Sequence, residues 1–172
     1  MFCQFLGFYL FIKPKKGTLV MIARINGISF SSYRKILVAD DEESVRELHK
    51  FTLKRSFLPE DILEIVNVKN LGEAEKAFNP QNVFDLVVTD GHMGTSSCGI
   101  DTITADGIKV AEMAKARHIP VILCSGDNGL KGFSEKAGAF FLEKKNTAKD
   151  LKQLVQNIFN PQMVSKNLRL VG

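Results

Sequence analysis

From residue 35 onward the sequence alternates short apolar runs, rich in Val, Ile, Leu and Phe, with segments of helical periodicity, and few folds accommodate that alternation. The apolar runs fall at residues 35–39, 62–68, 85–89, 121–125 and 140–143. They are short and apolar throughout, as strands buried on both faces of a parallel sheet are. Helical patterns lie between them at 43–55, with apolar positions Val45, Leu48 and Phe51, at 72–78, and at 107–117, with Val110, Met113 and Ala114. Residues 130–137 give a further short helix. In 147–159, Leu151, Leu154, Val155 and Ile158 stand at i, i+3, i+4 and i+7, and Pro161 ends the pattern. Five βα units in this order predict an α/β fold, a doubly wound five-stranded parallel sheet of order 2-1-3-4-5. Ligands of such a sheet sit beyond the carboxyl ends of strands 1 and 3, where the strand order reverses.

With 172 residues, 45% apolar and 24% charged, the chain is the size of one compact domain, expected at 34–160, with an N-terminal extension at 1–33 and a tail at 161–172 too short for an output domain. The net charge of +4 is unevenly placed. Residues 1–35 carry six basic residues and no acid, which leaves 17 of the 23 basic residues to face all 19 acidic ones in the body. The basic pI therefore belongs to the leader, and without a basic run interleaved with aromatics no nucleic-acid binding is expected. The apolar stretch 2–12 is about half the ~20 residues of a membrane span. It also lacks the preceding basic residue and the cleavage site of a secretory signal. Two readings of the leader stand: translation begins at Met21, or an amphipathic, partner-binding arm precedes the domain. Cys3, Cys98 and Cys124 form neither a paired framework nor a metal-ligand spacing, so a cytoplasmic location is expected.

The strand ends carry the chemistry. Strand 1 runs into Asp40 and Asp41, strand 3 into Asp90, strand 4 into Ser125 and strand 5 into Lys144. Each has an ordinary reading: Asp40 and Asp41 as a helix cap and first-turn acids, Asp90 as a loop aspartate, Ser125 as a turn hydroxyl, Lys144 as a solvated lysine. Their conjunction at one switch point is different, because three converging carboxylates repel one another unless a hard, oxygen-loving divalent cation joins them, and Mg²⁺ is the natural one.

Four segments in order, Ile36 to Asp41, Asp85 to Asp90 with Met93, Val121 to Gly126, and Ala137 to Lys144, resemble the receiver domain of two-component response regulators, over roughly residues 34–160. The resemblance implies the flavodoxin-like receiver fold and a single-domain phospho-switch in phosphorelay signal transduction. It implies Asp90 as phosphoacceptor, with Mg²⁺ held by Asp40, Asp41, Asp90 and the backbone carbonyl of His92. Ser125 and Lys144 would grip the phosphoryl oxygens, and Ser125 and Phe141 would form the switch. The partners implied are a sensor histidine kinase or histidine phosphotransfer protein and a downstream protein target. No independent substrate turnover is expected; the domain only assists its own phosphorylation and dephosphorylation.

The sequence departs from the family pattern in places. Gly94, not Pro, follows Met93, and Lys145 stands where Pro is common, which removes a bias toward a cis bond and leaves Lys145 as a second candidate for the lysine role. Residues 91–105 make a longer loop than usual before Asp106 and Gly107, either a lid over Asp90 or a tolerated surface insertion. Phe141 can equally be a plain core aromatic. His92 stands where its side chain could influence water attack on an acyl phosphate, while His49 and His118 read as surface residues. The alternative function is a phosphorylation-independent, receiver-like interaction module. A flavin carrier is disfavoured because the acids at 40–43 would repel a phosphate, and an aspartyl phosphatase because Gly91 and His92 supply no second acid.

Overall fold

The computed structural model describes residues 32–94 and 105–159. The leader, the tail and the greater part of the long loop lie outside the described residues, and the expectations about them lie outside with them. The elements are β1 (Tyr33–Ala39), α1 (Glu43–Lys54), β2 (Ile62–Val68), α2 (Leu71–Ala77), β3 (Leu86–Asp90), α3 (Asp106–Lys115), β4 (Val121–Ser125), α4 (Lys131–Lys136), β5 (Phe140–Glu143) and α5 (Thr147–Phe159). The five strands pair in parallel in the order β2-β1-β3-β4-β5.

Side-chain alternation along the strands divides the core in two. Leu37, Ala39, Val87 and Leu123 face a layer built from α2, α3, α4 and the turn that leads into α4, whose buried residues include Ala74, Val110, Ala114 and Leu130. Ile36, Val38, Leu86, Val88 and Ile122 face the opposite layer, where Leu53 of α1 meets Leu151 and Val155 of α5. β1, β3 and β4 are central and fully covered from Ile36 onward, which is why their sequences are continuously apolar. β2 is not buried on both faces as expected: it is an edge strand, with Ile62, Glu64 and Asn67 exposed. Its outer face is tied by Lys35, whose Nζ lies 2.7 Å from Glu64 Oε1.

α1 turns a different face to the core from the one its apolar spacing suggests. Leu48 and Phe51 are exposed, Val45 is half-buried, and the buried residues are His49, Thr52 and Leu53. Rows 45-48-51 and 45-49-52-53 are both helical stripes, and α5 packs on the second. His49 is thus a core residue, contrary to the expectation of a surface position, whereas His118 is exposed. The latter adopts φ 57° just past α3, where its N–H and that of Ile119 close the helix on Lys115 O and Ala114 O. α4 is preceded by a tight 3-10 turn at Asn128–Leu130, capped by Asp127 Oδ1, which accepts from Gly129 N at 2.8 Å. At the start of α3, Gly107 has no room for a side chain: a Cβ there would lie 2.0 Å from Asp90 O. That approach, with Gly107 N donating to Gly91 O at 3.1 Å, fastens the helix to the end of β3. Among the described residues, no helix is long and apolar enough to cross a membrane.

Candidate metal and phosphoacceptor site

The carboxyl ends of β1, β3, β4 and β5 bring the predicted residues to one place. Asp40 follows β1 directly, is fully buried, and accepts through Oδ1 from Glu42 N at 2.9 Å. Its Oδ2 has no hydrogen bond; the Lys144 ammonium stands 3.5 Å away as a loose ion pair. Asp90 ends β3, is 5% exposed, and holds Lys144 Nζ 3.0 Å from Oδ1. Asp41 is exposed, yet one oxygen from each of Asp40, Asp41 and Asp90 falls within 4.8 Å of the others.

This packing alters the acids. Burial pushes the Asp40 carboxyl above its ordinary value, the Glu42 N–H pulls it back, and the charge of Asp90 pushes it up again. Burial likewise raises Asp90 against the hydrogen bond and charge of Lys144. The metal-free Asp90 is therefore a perturbed carboxylate, held above its ordinary value by burial. For Lys144, burial works against the charge, but the hydrogen bond and charge of Asp90, joined by the charge of Asp40, outweigh it and hold the ammonium above its usual range. One ammonium thus pairs with two acids that burial destabilises as anions, a third acid lies beside them, and the buried Asp40 Oδ2 has no hydrogen-bond partner. An all-oxygen donor set short of positive charge fits a hard divalent cation.

Ser125 ends β4, is 2% exposed, and accepts through Oγ from Asp127 N at 3.1 Å. Gly91 gives it room: a Cβ there would come within 2.7 Å of that oxygen. Phe141 is half-buried on β5 and packs against the α2–α4 core layer, while its neighbour Phe140 is the exposed one. Lys145 does not enter the site; its Nζ pairs with Glu143 Oε1 at 2.7 Å. The His92 side chain is 39% exposed and reaches sideways to Asp127, with Nε2 3.4 Å from Oδ2.

Sequence reasoning missed Arg46. From the first turns of α1 its Nη1 donates to Asp40 O at 2.7 Å and to Asp41 O at 3.0 Å, pinning the backbone that presents both acids. Its place one helical turn beyond Glu42 was the available signal, since a cation there can reach back to the carbonyls before the helix. Cys124, the register partner of Asp90 on β4, is fully buried, has its thiol pushed far up by burial and is inert packing.

No protein-family model and no curated protein matches the sequence. Solved structures do. The Salmonella typhimurium response regulator RcsB, in a structure concerned with its DNA interaction, is 16% identical with a TM-score of 0.58; the match covers 75% of this chain and 61% of that one, less than two thirds of its length. The phosphorylated cyanobacterial phytochrome response regulator RcpA is 19% identical with a TM-score of 0.54, over 73% of this chain and 91% of that one. The Mn²⁺-bound form of response regulator Rcp1 is 20% identical with a TM-score of 0.53, over the same shares. At these identities the likeness is one of fold, and it coincides with the strand order and helix layers described above: the chain has the flavodoxin-like fold of response-regulator receiver domains.

Proposed function

We propose that the chain is a receiver that accepts a phosphoryl group on Asp90, with Mg²⁺ bound, from a histidine kinase or histidine phosphotransfer partner. The observation that carries this reading is the convergence of Asp40, Asp41 and Asp90 with Lys144 at the ends of three strands, with Ser125 beside them. A bound divalent cation would be held by the three carboxylates, with the His92 carbonyl as further ligand, and would supply charge neutralisation on the phosphoryl oxygens. One Asp90 carboxylate oxygen attacks phosphorus as the bond to the donor breaks and the donor leaves with that electron pair. Lys144, already 3.0 Å from Asp90, stabilises the negative charge spread over the transferring group. The Ser125 hydroxyl accepts from Asp127 N, so its own proton is free to donate to a phosphoryl oxygen. Asp90 is consumed as acceptor and regenerated by hydrolysis, so the domain turns over no separate substrate.

Phosphorylation adds negative charge and strong acceptors where Lys144 and Ser125 converge. A shift of the β4 end toward them would open space beside β5 for Phe141, half-buried as it stands, to move fully inward. The altered α4–β5–α5 face then acts on a downstream protein, in the cytoplasm. Known receivers of this fold support the reading: RcpA occurs phosphorylated and Rcp1 binds Mn²⁺.

The test is the intact mass of the protein after incubation with a small-molecule phosphodonor, with and without Mg²⁺, beside Asp90→Asn. One phosphoryl adduct that needs Mg²⁺ and is absent from the variant is expected. No adduct in the wild type, with no response to beryllofluoride, would instead favour a phosphorylation-independent interaction module.

A further inference from the structure

Residues 91–94 run from Ser125 to Asp41 and are fixed along the way. Gly91 N donates to Cys124 O at 3.0 Å, its O accepts from Gly107 N at 3.1 Å, and a Cβ on it would strike Leu130 Cδ1 at 2.5 Å. Met93 is fully buried in the core, and Gly94, at φ 67°, leaves only 3.3 Å between the place of a Cβ and Asp41 Oδ2. Between these anchors the His92 side chain spans to the β4–α4 turn, 3.4 Å from Asp127 Oδ2. Asp127 is the knot of that turn: its N–H donates to Ser125 Oγ at 3.1 Å and its Oδ1 accepts from Gly129 N at 2.8 Å.

We infer that His92 and Asp127 form a strut that holds Ser125 at the position it has in this structure, and that the switch must break it; the inference rests on the receiver reading above. If Ser125 follows oxygens added to Asp90, the turn moves, and Asp127 moves with it because its N–H is bonded to the serine hydroxyl. Residue 92 cannot follow. Gly91 O is bonded to Gly107 N at the start of α3, outside the moving turn, and Met93 is locked in the core. The strut therefore stretches beyond hydrogen-bond reach, and its loss opposes the shifted state. Asp127 and His92 are positioning residues for Ser125, not groups that touch the phosphoryl.

A long contact between two side chains each about 40% exposed is weak, so its removal favours the shifted state about two- to fivefold. The experiment is titration of the Mg²⁺-loaded protein with beryllofluoride, together with the lifetime of the phosphoryl adduct. His92→Phe keeps a planar ring without nitrogen, and Asp127→Ala removes both carboxylate contacts. Each is expected to bind beryllofluoride two- to fivefold more tightly, and the double variant no more tightly than either. Asp127→Asn, which keeps an acceptor for Gly129 and a hydrogen bond for the ring, returns affinity toward wild type, an outcome that a general loosening of the turn would not give. Wild-type affinity in His92→Phe, or additive effects in the double variant, overturns the strut while leaving the receiver reading intact. A wild type that takes up neither beryllofluoride nor a phosphoryl group removes both.

Discussion

At the scale of single residues, His49 is the position where chemistry and packing conflict most plainly. It is fully buried on α1, neither ring nitrogen has a hydrogen-bond partner, and the Lys144 ammonium adds an unfavourable field. Burial, with that field second, holds its pKa down from 6.5 to about 4. The unfolded chain thus binds a proton that the folded chain refuses between these two values, so stability is full above the unfolded pKa and falls as pH drops from about 6.5 to about 4. The shift amounts to about 3 kcal/mol at most. His49→Leu removes this dependence: urea midpoints of wild type and variant should diverge as pH is lowered from 7 to 4, the variant gaining. Parallel curves over that range would show that the ring is protonated or solvated in the folded state. The same residue shows why sequence alone places a histidine poorly, since its burial depends on which helical stripe the neighbouring helix selects.

At the scale of elements, α1 carries two such stripes, and the described packing commits to one. Leu53, fully buried against the α5 layer, should cost about 2–5 kcal/mol as Leu53→Ala. Phe51, 58% exposed, should change stability by less than about 1 kcal/mol as Phe51→Ser. Chemical denaturation of the two variants decides the matter, and a large loss in Phe51→Ser would restore the face that the apolar spacing suggested. The strands were far more legible than this helix. β2, β4 and β5 begin and end where their apolar runs do, because Gly, Asp, Asn and Pro punctuate a run regardless of what packs on it. The exposure of β2 was not legible, because strand order decides which run lies at an edge, and an edge strand tolerates Glu64 and Asn67 without losing its periodicity. The acids were legible because strand ends in a doubly wound sheet converge on one point. Arg46 and the His92–Asp127 contact were not, because each depends on a side chain reaching across a loop whose path only three dimensions supply.

At the scale of the whole molecule, the strand ends bring three carboxylates together with one ammonium that pairs with two of them, and the buried acids carry a cost to the fold when no cation is present. The sign comes from the acids. Asp40 and Asp90 both have folded pKa values raised above their ordinary ones, so their contribution to stability is present below the unfolded pKa and lost as pH rises through the folded pKa. At neutral pH, then, ionised Asp40 is a destabilising group in metal-free protein. Asp40→Asn keeps an acceptor for Glu42 N–H while removing the charge, and should melt higher than wild type in the presence of a chelator. A cation that binds only the folded chain reverses the order. Mg²⁺ at about ten times its dissociation constant stabilises the wild type by about 1.4 kcal/mol, or about 5 °C in Tm for a domain of this size. Asp40→Asn, short of one anionic ligand, should gain much less. Crossed melting temperatures, variant above wild type in chelator and the gap closed or inverted in Mg²⁺, would identify the acid cluster as a metal site whose cost to the fold is offset by its ligand. A variant that melts below wild type in chelator, or one that keeps the full Mg²⁺ response, would mean that the Asp40 carboxylate serves the fold through its hydrogen bond and the pairing with Lys144 rather than through a cation.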